Sequence, residues 1–189
     1  MNFGQAIRQS AFVADLFPRY YNLVSGGVVY GVSYTAAAAT VASATATGPF
    51  ALFNPAASGV QLVLLGATIP VTNSTIAGGL SIGFQLVPGQ QPTTTTPGNT
   101  PQNMLVGNAG VAKGATFTAG TLVGAPTVPG YFVSGAQLET TTPNLVFFKD
   151  DIAGVIVVGP NSGIDIVVTS TGSIPLLTPS LLWAEIPLG

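Results

Sequence analysis

Short runs of β-branched and aromatic residues, each cut off after a few positions by glycine or proline, recur from one end of this chain to the other. Glycine and proline cost about 1 and 3 kcal/mol in a helix interior. A chain of 189 residues with 24 Gly and 15 Pro is therefore a poor candidate for a core built of long helices. The clearest run is Leu80–Val87, where Leu80, Ile82, Phe84 and Leu86 alternate with Ser81, Gly83 and Gln85. A period of two over such a length predicts a strand with one face on the core. Tyr20–Ala36, Phe50–Phe53, Val60–Ile69, Tyr131–Leu138, Leu145–Phe148, Ile152–Val158, Ile164–Thr169 and Ser180–Ile186 complete the series. Many short strands without helical periodicity predict an all-β fold, a β-sandwich or jelly roll.

Two segments depart from this pattern. Met1–Arg19 mixes polar and apolar residues ahead of the first strand and reads as an N-terminal arm. Ile7, Phe12, Val13, Leu16 and Phe17 allow a short helix there, which Pro18 would end. Pro88–Gln102 is uncharged, punctuated by proline and rich in threonine. With few apolar side chains to bury, it is predicted to be an exposed extended loop of a single β-sandwich domain spanning residues 20–189. Ala36–Thr47, an Ala/Thr tract, reads as a strand of small side chains.

Charge is nearly absent. Four basic and six acidic residues make up 5% of the chain, with no His and no Cys; ordinary soluble domains carry about 25%. Without cysteine, stability must come from packing or association alone. Four scattered cations are too few for a phosphate-binding face, so nucleic acid is not expected as a direct partner. Apolar residues reach 47%, yet Val60–Ile69 is broken by Gln61, Gly66 and Thr68, and Ala153–Val158 by Gly154. Neither approaches the ~20 apolar residues of a helical span. A membrane barrel would need aromatic girdles near its strand ends, a rhythm not found here. The opening Met1–Arg8 lacks a cationic stretch followed by an apolar block, which argues against a secretory signal.

The motifs that could carry chemistry are incomplete. Gly79-Leu80-Ser81-Ile82-Gly83 has the spacing of a nucleophile elbow, but its serine would need a histidine base and sits in an alternating run. Gly107–Gly114 surrounds Lys113 with glycines yet lacks the second Gly and the hydroxyl residue of a phosphate loop. The carboxylates Asp15, Glu139, Asp150, Asp151, Asp165 and Glu185 show no metal-ligand spacing and read as strand-end solubility charges. Adjacent Asp150 and Asp151 would point to opposite faces of a strand. Asn73-Ser74-Thr75 fits a glycosylation sequon and reads as a polar turn. No catalytic residue, cofactor or metal is expected, and the chain is not expected to be an enzyme.

Two stretches carry a resemblance. One is Phe53-Asn54-Pro55-Ala56-Ala57-Ser58-Gly59-Val60-Gln61-Leu62-Val63-Leu64-Leu65, a turn entering an apolar strand. The other runs from Gly159-Pro160-Asn161-Ser162-Gly163 into Ile164-Asp165-Ile166-Val167-Val168, with a close of Leu181-Leu182-Trp183-Ala184-Glu185-Ile186-Pro187. Together they resemble small virion structural proteins of tailed bacteriophages, of the capsid decoration (cement) or head-fibre kind. The resemblance implies a β-rich subunit, often trimeric, made in the host bacterial cytoplasm and bound on the capsid surface to the major capsid protein.

On this reading the chain binds itself, as a homotrimer, and the phage shell. The candidate contact residues are Phe3, Ile7, Phe12 and Phe17 of the arm and the single tryptophan, Trp183. Trp183 could equally anchor the core. A receptor-binding or head-fibre module is the alternative, as is a carbohydrate-binding or carbohydrate-active domain. A fibre would show a long repetitive shaft. A sugar site would set exposed aromatics near carboxylates, for which Tyr131-Phe132 and Phe147-Phe148-Lys149-Asp150 are the candidates.

Overall fold

A computed structural model describes residues 20–35, 37–38, 40–41, 46–71, 78–122, 127–138, 147–150, 152–170 and 176–189. The arm Met1–Arg19 lies outside them. Among the described residues, helix α1 (Tyr21–Ser25) comes first and sixteen strands follow it. These are β1 (Val29–Ser33), β2 (Ala37–Ala38), β3 (Thr40–Val41), β4 (Ala46–Thr47), β5 (Ala51–Asn54), β6 (Val60–Pro70), β7 (Gly78–Val87) and β8 (Thr94–Pro97). They continue with β9 (Gln102–Asn103), β10 (Ala115–Thr121), β11 (Thr127–Leu138), β12 (Phe147–Asp150), β13 (Val157–Val158), β14 (Ser162–Ser170), β15 (Leu176–Leu177) and β16 (Ser180–Pro187).

The all-β sandwich predicted from periodicity is what the chain builds. One sheet has the order β12-β6-β16-β1-β9, with β13 also on β6. The other has the order β11-β7-β14-β5-β10-β4, with β3 on β14 and β8 on β10. All of these pairings are antiparallel except β3 with β14. Strands that follow one another in the chain mostly sit in different sheets, so the links cross the ends of the sandwich.

Alternation decides which side chains meet between the sheets. Tyr30, Val32 and Tyr34 face Leu52, Ile82, Phe84, Ile164, Ile166 and Val168 in one continuous core with Leu62, Leu64 and Trp183. The Trp183 ring stacks on Tyr30 with centroids 6.4 Å apart, and Tyr34 meets Phe50 edge-on at 5.8 Å. Each fully buried side chain of this size contributes about 1.5–3 kcal/mol.

The Asn54–Gly59 turn of the resemblance is tied down by its first residue. Buried Asn54 donates through Nδ2 to the carbonyls of Val60 (2.8 Å) and Val158 (2.9 Å). Gly59 closes the turn at φ +71, a left-handed conformation that suits glycine. At the second turn, Gly163 lies under the Phe53 ring; a Cβ there would sit 2.4 Å from it.

Three expectations need correction. Tyr21–Ser25, at the start of the run Tyr20–Ala36 read as strand, is helix, and the short helix expected within Met1–Arg19 lies outside the described residues. The segment 88–102 is exposed along much of its length, but it is not a free loop. Thr94–Pro97 pairs with β10, and Thr93 and Gly98 donate to the carbonyls of Thr121 and Thr116, each at 2.8 Å. Only Val157–Val158 of the Ile152–Val158 run is strand. The rest is a turn whose Ala153 and Gly154 amides bond Leu65 and Leu64 of β6.

Candidate interaction surface

Beyond β9, at the edge of the six-stranded sheet, the chain enters a loop, residues 104–114, whose shape is set by asparagine side chains. Asn103 Nδ2 donates to Gly27 O at 2.7 Å, and its Oδ1 accepts from the Leu105 amide at 2.8 Å. Asn108 repeats the device on the Gly110 amide at 3.0 Å, the local turn chemistry expected of asparagine. Gly107 takes φ +94 between them. Met104 packs over Gly31 of β1, where a Cβ would come within 3.0 Å of its terminal methyl.

The far end of the loop is held by a carboxylate. Glu185 Oε1 and Oε2 accept from the Lys113 amide at 2.8 and 2.9 Å, and Oε1 accepts from the Gly114 amide at 2.8 Å. The Trp183 indole N–H donates to the same oxygen at 3.3 Å. A buried carboxylate is tolerated when its lone pairs are filled in this way.

Between these anchors the loop presents apolar side chains to solvent. Val106 is 96% exposed and Val111 81%, beside the partly exposed Met104 and Leu105. No charged residue occurs from Pro88 to Ala112. Exposed apolar groups on a loop pinned at both ends suit a contact surface, because little further ordering is needed on binding.

The second polar cluster is enclosed outside the main core. Asp165, on the face of β14 turned away from the core, is fully buried. One oxygen accepts from the Gly48 amide, while Oδ1 has no partner among the described residues. Burial pushes its pKa up to about 7, against the lowering effect of the Gly48 and Ile166 amides. The Tyr34 hydroxyl, raised by its own burial and then by Asp165, donates to Ala51 O at 3.0 Å. A carboxylate enclosed this completely cannot meet a substrate while the fold is closed.

Trp183, proposed as a contact residue, is fully buried in the core of its own chain and offers no surface. Phe3, Ile7, Phe12 and Phe17 lie outside the described residues, as do Asp15, Asn73–Thr75, Glu139 and Asp151. The Gly79–Gly83 pattern lies wholly within strand β7, so its serine is not at a strand-to-helix turn. Asp165 and Glu185 correct the reading of the carboxylates as solubility charges, since both are buried. Among the described residues, no three His, Cys, Asp or Glu side chains converge as a metal site. None of the described helices is long and apolar enough to cross a membrane.

The residues that sequence reasoning missed are Val106 and Val111. Their only signal is a pair of isolated valines among Gly, Asn and Ala, with no period to bury them. Comparison with protein-family models, curated proteins and solved structures yields no match.

Proposed function

We propose that this chain is a virion structural protein of a tailed bacteriophage, a capsid decoration protein that associates with itself as a trimer and binds the head shell without catalysing a reaction. The observation that carries the reading is the strand order. Set aside the short strands and the β8–β10 excursion, and the longer ones run β12-β6-β16-β1 in one sheet and β11-β7-β14-β5 in the other. Eight antiparallel strands in these two orders support reading the sandwich as a jelly roll, an architecture used by viral capsid domains and by lectins. The preorganised 104–114 loop, with exposed apolar side chains and no charge before Lys113, favours a surface role over a pocket-based one.

The contacts are uncharged hydrogen bonds and apolar patches, each worth about 1 kcal/mol and repeated by the symmetry of the particle. Such attachment depends little on ionic strength, unlike a charge-steered complex. The test is to strip the protein from purified heads, add it back, and measure occupancy across a salt series. Saturable binding that survives high salt and raises the temperature of head disruption is the expected result. Absence of binding to shells overturns the reading. Loss of occupancy after deletion of Met1–Arg19 would identify that segment as the tether.

A further inference from the structure

Among the described residues, Asp165 is the only charged one on the strands of the eight-stranded sheet. The chain carries no charge from Tyr20 to Ala112, which takes in β3, β4, β5, β7 and β8, and neither β10 nor β11 adds one. Tyr34, just past the end of β1, is the titratable group that faces the carboxyl, and its own pKa is raised by burial and then by Asp165. The register neighbours Ala51 on β5 and Gln85 on β7 are neutral. The carboxyl is fully buried, and no cation lies on any of these strands to balance it. A charge enclosed in this way is strongly disfavoured.

Asp165 also marks a break in the ladder. Strand β14 pairs with β5 as far as Asp165, opposite Ala51, and from Val167 it pairs with β3. Strand β10 likewise pairs with β5 from Ala115 to Phe117 and with β4 from Gly120. Between β4 and β5 the segment Gly48-Pro49-Phe50 leaves the ladder. Pro49 has no amide to give, and the Gly48 amide finds its acceptor in the Asp165 side chain. The carboxyl thus stands in for a missing rung. Strand β4 has two residues and pairs with β10 alone among the described strands. Thr47 Oγ1 and Asp165 Oδ1 are both buried without a partner among the described residues. A segment held by so few bonds opens more easily than the core strands.

We propose that Asp165 and Gly48 form a proton-controlled latch: the protonated carboxyl holds Ala46–Gly48 against the sheet, and the ionised carboxylate releases that segment to reach water while the two sheets stay packed. Phe50 stops the movement on its far side, because its ring is buried in the main core against Tyr34. Burial costs the charged form its hydration and the neutral form much less. This raises the pKa from 3.8 to about 7, against the lowering effect of the Gly48 and Ile166 amides. The closed form therefore binds the extra proton. Closure is fully favoured below about pH 4 and is lost as pH rises through 7. Release frees the side of β10 at Gly120 and Thr121 that β4 covers.

Amide hydrogen exchange, followed by NMR on the full chain, tests the latch. Protection of the Gly48 amide, corrected for intrinsic exchange, should fall about tenfold per pH unit from pH 4 to pH 7 and level off above that. Amides of β6 and β7 should stay at least about tenfold better protected than Gly48 throughout, since the sandwich does not open with the segment. In Asp165→Asn, Gly48 protection should not change with pH. Three results each overturn the proposal: Gly48 protection that ignores pH in the unaltered chain, Gly48 exchanging in step with β6 and β7, or a pH dependence that survives Asp165→Asn. If Asp165→Asn does not fold, the carboxyl carbon of Asp165 in the unaltered chain replaces it. That carbon should titrate near pH 7, where Gly48 protection levels off, and a midpoint near 4 overturns the latch.

Discussion

Glu185 and Asp165 are both buried carboxylates on long strands, yet their surroundings treat them differently. Glu185 sits where β16 meets the 104–114 loop, with two backbone amides and an indole N–H on its oxygens. Asp165 sits under the segment that carries β4 and Gly48, with Oδ1 lacking a partner among the described residues. The first charge fastens a loop to the sandwich. The second is a group the fold encloses with one oxygen left without a partner among the described residues, and burial raises its pKa to about 7. Burial by itself thus says little about what a carboxylate contributes; the count of donors around it decides.

The comparison breaks most visibly at Glu185. Glu185→Ala leaves the Gly114 and Lys113 amides and the Trp183 N–H without their acceptor, and should cost about 3–5 kcal/mol in urea unfolding. A loss below 1 kcal/mol would mean that water replaces the carboxylate freely.

At Asp165 the effect should appear as pH dependence. Its folded pKa, about 7, lies above the ordinary value of 3.8, so between these values the folded state binds more protons than the unfolded one. The stability it contributes is fully present below about pH 4 and is lost as pH rises through 7. The fall should be roughly 2–4 kcal/mol. Asp165→Asn should remove that slope and raise stability at neutral pH. Unfolding curves from pH 4 to pH 8 that are parallel for the two proteins would contradict the assignment.

A finer test is Glu185→Gln, which keeps one acceptor oxygen and replaces the other with a donor facing an amide. It should cost about 1–2 kcal/mol, clearly less than the alanine variant. The smallest effect is expected at Thr47, whose buried Oγ1 also has no partner among the described residues. Thr47→Val removes an unsatisfied hydroxyl near Asp165 and should stabilise by up to about 1 kcal/mol. A clear loss would show that the hydroxyl has a role in holding the β4 segment.

The sandwich was legible in the sequence because its strongest signals are local. Leu80–Val87 and Val60–Ile69 alternate or run apolar over their own lengths and became β7 and β6. Strand β10 escaped notice because Ala115-Thr116-Phe117-Thr118-Ala119-Gly120-Thr121 carries little apolar contrast, and its pairing comes from β5 and β8. Helix α1 was hidden by the valines that follow it. The two carboxylates were misread for a shared reason. Period two places Asp165 away from the core, which is correct, but its cover comes from Gly48, far earlier in the chain. Glu185 likewise meets its partners only when Lys113 and Gly114 fold back onto it. Exposure of Val106 and Val111 has no signal in the sequence, because an apolar residue is read as buried until a fixed loop shows otherwise.

The position of β16 has a consequence for synthesis. The strand lies between β1 and β6 in the interior of its sheet, although it is made after every other described strand. Until residues 180–187 leave the ribosome, β1 and β6 have a gap between them, and neither Trp183 nor Glu185 is in place. A nascent chain therefore cannot close its sandwich in stages from the N-terminus, and long-range pairing of this kind is slow. During that interval the unpaired edges are open to other chains. A truncated product would lack the strand that unites the sheet, so only chains translated through β16 could close the six-stranded sheet.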